Sequence, residues 1–501
     1  MRRRVRIGGL ALVILFGGPF GAGAQVADDP GVQEALEVVR VWLEAQQAYE
    51  QIPALSAAVA HDQELVWSTA QGVAHRDTGA PATPETLYSI CSISKLFTSV
   101  AVMQLRDRGL LDLRDPVEKH LPWFAVEQRW EGSAPVTVEG LLTHSSGLPR
   151  ESNHPYWTGP DFPFPTTEEV KEGLAEQETL YPAWKYFQYS NLGLTLAGEI
   201  VEQLSGQPYG EYVRENILEP LGMSNTYPEI PLEHRGGRLA TGYSAPTREG
   251  TRNEVAFFQA KGIAPAAGYA STAEDLARFA SWQFRLTGDR EEVVQAHTLD
   301  EMHRVHYVDP GWNTYWGLGF TVSRRNEKTF VGHGGSCPGF RSQLVLQLDE
   351  KVAVAFMANA MVNSGTYASG IYDLVAGAIK SAASEDEEGG SDAGAADDEG
   401  KQEKDEETTD LTPYLGTYSN QPWGSETAVV KWKGGLALLS LPTETPLRGL
   451  TRLKHDEGDV FYRIRDDGER GEDVVFHRDE SGRVTRYSVH GNFSPRVPMN
   501  R

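Results

Sequence analysis

An α/β layer arrangement with a helical insert, followed by a small all-β barrel or sandwich, is the fold the sequence predicts. Three observations point there. Strand-like runs stand at both ends of a long mixed segment, at 54–60 and 64–74 and again between 317 and 359, with helix-like stretches between them. Residues 385–410 then carry thirteen acids and two lysines and show no apolar periodicity. Beyond them, short alternating apolar runs recur between turn signals.

Taken in order, the chain opens with Arg2, Arg3, Arg4 and Arg6, an apolar run over 7–20, and the small residues Ala22-Gly23-Ala24. That is the layout of a signal peptide cut before Gln25, so export to the periplasm or beyond is expected. An uncleaved anchor helix is the competing reading; the Gly and Pro residues at 17–19 weaken it. No cysteine follows the apolar run, so a bacterial lipid anchor is not indicated. Residues 31–50 place Val32, Leu36, Val39 and Leu43 at helical spacing. The runs 54–60 and 64–74 read as strands joined at His61-Asp62-Gln63-Glu64. Residues 93–109 read as a buried helix. The stretch 110–260, rich in Pro and Trp, reads as short helices and forms the insert. Ser271-Thr272-Ala273-Glu274 has a capping-box pattern and opens a helix over 273–287. Strands follow at 317–323, 328–333, 340–348 and 352–359, then a helix at 364–382.

The acidic stretch reads as a flexible, self-repelling linker. After it, the alternating runs are 427–432, 436–441, 460–464, 474–477 and 484–489. Lys433-Gly434-Gly435, Asp466-Asp467-Gly468 and Asp479-Glu480-Ser481-Gly482 separate them. The expected organisation is a signal peptide at 1–24, a mixed α/β domain at 25–383, an acidic linker at 384–410 and a β domain at 411–501.

Charge excludes some partners. The net charge is −24, and removing the four arginines of residues 1–24 makes it −28. Such acidity repels nucleic-acid phosphates and anionic membrane surfaces alike. No stretch after residue 24 is apolar for long enough to span a bilayer. Two cysteines, Cys91 and Cys337, are too few for a disulfide scaffold or a thiolate zinc site. No metal or cofactor is expected.

Three motifs carry chemistry. Ser92-Ile93-Ser94-Lys95 opens an apolar helix and is the only S-x-x-K in the chain. A hydroxyl needs a base to become a nucleophile, and three helical residues put Lys95 on the face of Ser92. Burial and the positive helix end both disfavour an ammonium, so Lys95 can be neutral. The Ser92 N–H can donate to an oxyanion. A helix-capping serine is the plainer alternative. The second motif is Tyr189-Ser190-Asn191. A phenol relays a proton if a nearby cation lowers its pKa, and Asn191 can hold Lys95 and a substrate carbonyl. Ser190 or Asn191 capping a helix over 192–204 is the alternative. Tyr418-Ser419-Asn420 repeats the triplet, but in the β-rich part and without a following apolar helix. The third motif, His333-Gly334-Gly335-Ser336, ends a strand. Its glycines let a ligand approach closely, His333 offers a proton or a hydrogen bond, and the Ser336 N–H is a second oxyanion donor. A glycine turn between strands is the alternative.

In this order and spacing the three motifs resemble the class C β-lactamase, DD-peptidase and family VIII esterase group, the penicillin-recognising serine hydrolases. Leu111-Asp112-Leu113-Arg114-Asp115-Pro116-Val117 with Leu121-Pro122, and Leu141-Leu142-Thr143-His144-Ser145-Ser146-Gly147-Leu148-Pro149, are similar to flanking segments of that family. The resemblance covers about residues 30–380. It implies a β-lactamase/transpeptidase-like sheet flanked by helices with an all-α subdomain. It implies that Ser92 carries the acyl group, that Lys95 and Tyr189 share base and acid duty, and that Asn191 orients substrate. His333, Gly334 and Gly335 would line the opposite wall, and Ser336 would complete the oxyanion hole. His144 would be structural, a satisfied and partly buried histidine. Class C enzymes have lysine where His333 stands, so an efficient β-lactamase is disfavoured. Some class A carbapenemases bridge cysteines at the relative places of Cys91 and Cys337, which implies a disulfide here; two buried thiols are the alternative. The last segment resembles the lipocalin-like domain appended to such hydrolases, through Leu415-Gly416-Thr417-Tyr418; it would restrict the cleft or support oligomers.

The resulting expectation is a serine hydrolase acting on a small-molecule ester, peptide or β-lactam. The other readings are a weak class C-like β-lactamase and a penicillin-binding sensor that is acylated without turnover.

Overall fold

The computed structural model describes residues 26–389, 409–421, 425–465, 467–490 and 492–497. The expected signal peptide, and residues 390–408 of the expected linker, lie outside the described residues.

Helix α1 (Pro30–Glu50) begins where Asp29 Oδ1 accepts from the Val32 N–H at 2.9 Å. Strands β1 (Ala54–His61), β2 (Glu64–His75) and the short β3 (Ala80–Pro81) follow as a meander. The chain then leaves the sheet for α2 (Ser94–Asp107), α3 (Asn191–Ser205), α4 (Ala273–Arg285) and many short turns. It returns as β4 (Tyr307–Val308), β5 (Tyr315–Trp316), β6 (Thr321–Arg325), β7 (Lys328–Cys337), β8 (Phe340–Gln347) and β9 (Val352–Ala358). Helix α5 (Ser364–Gly389) packs back on the sheet. The strand order is β4-β5-β6-β7-β8-β9-β1-β2-β3. Distant parts of the chain therefore close one sheet, with Leu55 of β1 opposite Ala358 of β9 and His61 opposite Val352.

Period-two alternation divides the sheet between two cores. Leu55, Ala57 and Val59, with Val354 and Phe356, join α1 and α5. Ala58 and Ala60, with Ala355 and Met357, join α2 and α4.

Three boundaries differ from expectation. Strand β6 starts at Thr321, because Gly319, at φ 85°, is turned tightly against Ser99. Strand β7 runs through to Cys337, so His333-Gly334-Gly335-Ser336 lies within the last five residues of the strand and is not a turn. Helix α5 reaches Gly389.

The remaining strands are β10 (Gly416–Ser419), β11 (Glu426–Trp432), β12 (Gly435–Leu441), β13 (Leu450–Glu457), β14 (Val460–Ile464), β15 (Arg470–Arg478), β16 (Val484–Val489) and β17 (Asn492–Pro495). Each pairs with the next, and a bridge from Tyr418 to Arg496 nearly closes the barrel. Strand β13 gave no alternating signal, since only Leu453 among its residues is buried. The barrel docks on the α1/α5 layer. Val430, Trp432, Leu439 and Leu441 enter that core, Trp42 Nε1 donates to the Thr443 carbonyl at 2.9 Å, and the Thr443 N–H donates to Gln46 Oε1 at 3.0 Å. It therefore covers the face of the sheet opposite α2, and does not restrict the cleft through that contact.

Candidate active site

Ser92 lies in a single 3₁₀ turn, Cys91–Ile93, that runs directly into α2. Cys91 has φ 51°, a left-handed conformation that costs a non-glycine residue about 1 kcal/mol or more. The surroundings hold it there. A disulfide joins Cys91 to Cys337 with the Cα atoms 5.7 Å apart, and Ser342 Oγ donates to the Ile90 carbonyl at 2.8 Å. Strand β7 is thereby drawn against the turn. A Cβ on Gly335 would stand 2.1 Å from the Ile90 carbonyl oxygen. This glycine is needed first for the chain's own close approach, and not only for a ligand's.

Lys95 is fully buried on the first turn of α2. Its Nζ stands 3.3 Å from Ser92 Oγ, 2.8 Å from Asn191 Oδ1 and 2.7 Å from the Ala266 carbonyl. Burial drives its pKa well below the usual lysine value; Glu151 opposes this and Arg150 adds to it. A neutral amine has two N–H donors and one lone pair. The Asn191 and Ala266 oxygens take the two donors, which leaves the lone pair for the Ser92 hydroxyl.

The Tyr189 hydroxyl lies close enough to the Ser92 side chain to be influenced by it. The Lys95 ammonium position and the Arg150 guanidinium both lie 4.9 Å from the centre of its ring. A lowered phenol pKa was the expectation. The structure reverses it: burial outweighs the lowering influence of Ser92 and Arg150, and the phenol is pushed up. Tyr189 is therefore a neutral hydroxyl at rest.

Asn191 is buried and occupied at both ends. Its Oδ1 accepts from Lys95, and its Nδ2 donates to Glu151 Oε1 and Oε2 at 2.8 and 3.0 Å. The two contacts to one carboxylate draw on a single N–H, so Asn191 positions Lys95 and keeps its second N–H for the expected role toward a substrate carbonyl. Ser190 is the helix cap, its Oγ accepting from the Gly193 N–H at 2.8 Å.

His333 is buried, and its Nδ1 donates to the Gly334 carbonyl at 2.6 Å. Burial and Lys95 push its pKa down to about 3. It is neutral, with Nε2 an acceptor, so it cannot supply the proton expected of it. Gly334 follows it against Gln343, and the exposed Ser336 stands beside Cys337 on the same strand. His144 is packed rather than reactive. Its ring lies 4.2 Å from that of Tyr189 and 4.9 Å from that of Trp316, and its Nδ1 accepts from the Ser190 N–H at 3.1 Å. Only half of the expected satisfaction is present, because its Nε2 has no partner among the described residues.

Three contributors escaped the motifs. Glu151 anchors Asn191 and receives the Tyr156 hydroxyl. Trp316 packs edge-on to His144 and His333. The Ala266 carbonyl holds Lys95. Glu151 lies two residues after the 141–149 stretch, but a single glutamate there carries no signal. A backbone carbonyl carries none at all.

The family model described as Beta-lactamase matches residues 39–376. Beta-lactamase-like protein 2 of Dictyostelium discoideum is 27% identical over 337 residues, covering 66% of this chain and 60% of that protein. Protein flp of Staphylococcus aureus strain MW2 is 24% identical over 310 residues, covering 62% and 60%. The match thus spans about three fifths of the length of these curated relatives. Among solved structures, the octameric penicillin-binding protein homologue from Pyrococcus abyssi aligns over 92% of this chain and 99% of its own, with a TM-score of 0.60 and 24% identity. The crystal structure of SurE aligns over 93% and 99%, with a TM-score of 0.55 and 23% identity. Both likenesses concern the fold.

Proposed function

This chain belongs to the β-lactamase family, and from that premise we propose that it is a serine hydrolase that cleaves an ester or amide through an acyl-enzyme on Ser92. One observation carries the proposal: the buried Lys95 Nζ stands 3.3 Å from Ser92 Oγ while the Asn191 and Ala266 oxygens hold it at 2.8 and 2.7 Å. Lys95 takes the hydroxyl proton as Ser92 Oγ bonds to the substrate carbonyl carbon. The N–H groups of Ser92 and Ser336 receive the developing oxyanion. As the tetrahedral centre collapses, Tyr189 gives its proton to the leaving group and recovers one from the Lys95 ammonium. Water then repeats the sequence on the ester, with Lys95 neutral again at the end. Asn191 and Glu151 hold the amine in place throughout.

The neutral His333 leaves that wall without a fixed cation. This favours substrates uncharged at that position, simple esters or D-amino-acid amides, over a carboxylate-bearing β-lactam. A disulfide beside the nucleophile suits an oxidising compartment, in keeping with export.

The test is a panel of p-nitrophenyl esters, D-amino-acid amides and nitrocefin, run on the wild type and on Ser92→Ala. Turnover of at least one ester or amide is expected, falling by a factor on the order of 10³ or more in the variant. Equal turnover by both proteins would refute the assignment.

A further inference from the structure

On the side of the sheet away from Ser92, a cavity of about 700 Å³ opens between the C-terminal end of α1, the start of α5 and the 244–253 loop. Its walls are tied together before any ligand arrives. Arg252, only 6% exposed, donates to the carbonyls of Glu50 at 3.0 Å, Ser244 at 2.9 Å and Met361 at 3.2 Å, one from each wall. Five donors on one rigid fork fix the shape of the site.

The second arginine of the cavity, Arg341, is left over. Its Nε is buried with no hydrogen-bond partner, and no carboxylate among the described residues pairs with its guanidinium. Glu50 is the carboxylate nearest to hand, but it accepts from the Tyr367 hydroxyl at 2.7 Å and from Gln46 Nε2 at 3.3 Å. The lining thus holds two arginines against one carboxylate, whose Oε1 takes both of these hydrogen bonds. Asn363, which lines the same space, directly precedes the 26-residue helix α5. The lining also includes the apolar side chains of Tyr49, Pro246, Met361 and Val362.

We propose that this cavity is a binding site for a small organic carboxylate, with the headgroup on Arg341 and the carbon chain against the apolar side chains. A planar carboxylate matches the free guanidinium fork, and the apolar side chains reward a chain that inorganic phosphate does not have. The site is separate from the Ser92 centre and does not depend on the reaction proposed there.

The experiment is isothermal titration of the full chain with acetate, hexanoate and inorganic phosphate. The proteins are the wild type, Arg341→Gln, Arg341→Lys and Asn363→Trp, the last filling the mouth from an exposed position. Hexanoate is expected to bind the wild type more tightly than acetate or phosphate. Affinity should fall about tenfold or more in Arg341→Gln and Asn363→Trp, and recover in part in Arg341→Lys. Hydrolysis of the best ester should be unchanged in all three variants. The proposal is overturned if hexanoate fails to bind the wild type, or if both Arg341→Gln and Asn363→Trp bind it as well as the wild type does. It is overturned too if phosphate binds as tightly as hexanoate.

Discussion

Tyr189-Ser190-Asn191 and Tyr418-Ser419-Asn420 are the same three residues in two differently built surroundings. In the first, Ser190 caps α3, Asn191 grips Lys95 at 2.8 Å, and Tyr189 meets Ser92. In the second, Tyr418 is fully buried in the barrel, its hydroxyl donates to the Tyr414 carbonyl at 2.8 Å, and Asn420 Nδ2 donates to Thr427 Oγ1 at 2.7 Å. Burial raises both phenols, Tyr418 to about 12. What separates them is not acidity but company. The fold brings the Lys95 amine and the Ser92 hydroxyl to the first triplet, and to the second the Tyr414 carbonyl, the hydroxyls of Thr427, Tyr487 and Ser494, and the Arg496 guanidinium 6.0 Å from the Tyr418 ring. A side chain becomes reactive through what distant segments place beside it.

That contrast can be broken or sharpened by experiment. The largest effect is expected for Tyr189→Phe, which should lower kcat by about 10²- to 10⁴-fold on the best ester, while Tyr418→Phe leaves kcat unchanged. Similar losses in the two variants would erase the distinction. Next comes the joint between the two parts of the molecule. Trp42 is fully buried, packs tilted against Tyr367 and donates to the Thr443 carbonyl. Trp42→Ala should cost about 3–5 kcal/mol in urea unfolding, and a loss below about 1 kcal/mol would mean the barrel docks without it.

A smaller effect distinguishes the chemistry-bearing face in acid. His303 and His333 are held neutral, with pKa values of about 3, against about 6.5 in the unfolded chain. Between those values the unfolded state binds more protons, so stability is lost as pH falls from about 6.5 toward about 3. His303→Gln should flatten the dependence of Tm on pH over that window; an unchanged slope contradicts it. The smallest effect is Tyr418→Phe on stability, about 1 kcal/mol for one buried hydrogen bond. A loss several times larger would assign the barrel triplet more than a local role.

Much of the fold was legible. Local periodicity revealed α1, the β1–β2 hairpin, α4 and the strands from β7 to β9, because each buries one face against a large core. Strand β13 was not, because its side chains are nearly all exposed and the pattern has nothing to report. At the site, the S-x-x-K spacing was readable because a helical turn is a local object. Glu151 was not, because its importance comes from Asn191, 40 residues away.

The sequence by itself determined which reactive groups exist and which of them share a helix. It placed Ser92 and Lys95 one turn apart, and it offered Cys91 and Cys337 as the sole candidates for a bridge. Only the tertiary structure decided what those groups are able to do. It occupied both ends of Asn191, turned His333 into an acceptor, and kept Tyr189 protonated. Protonation and donor occupancy depend on desolvation and on neighbours far along the chain, and these come into being only when the sheet closes.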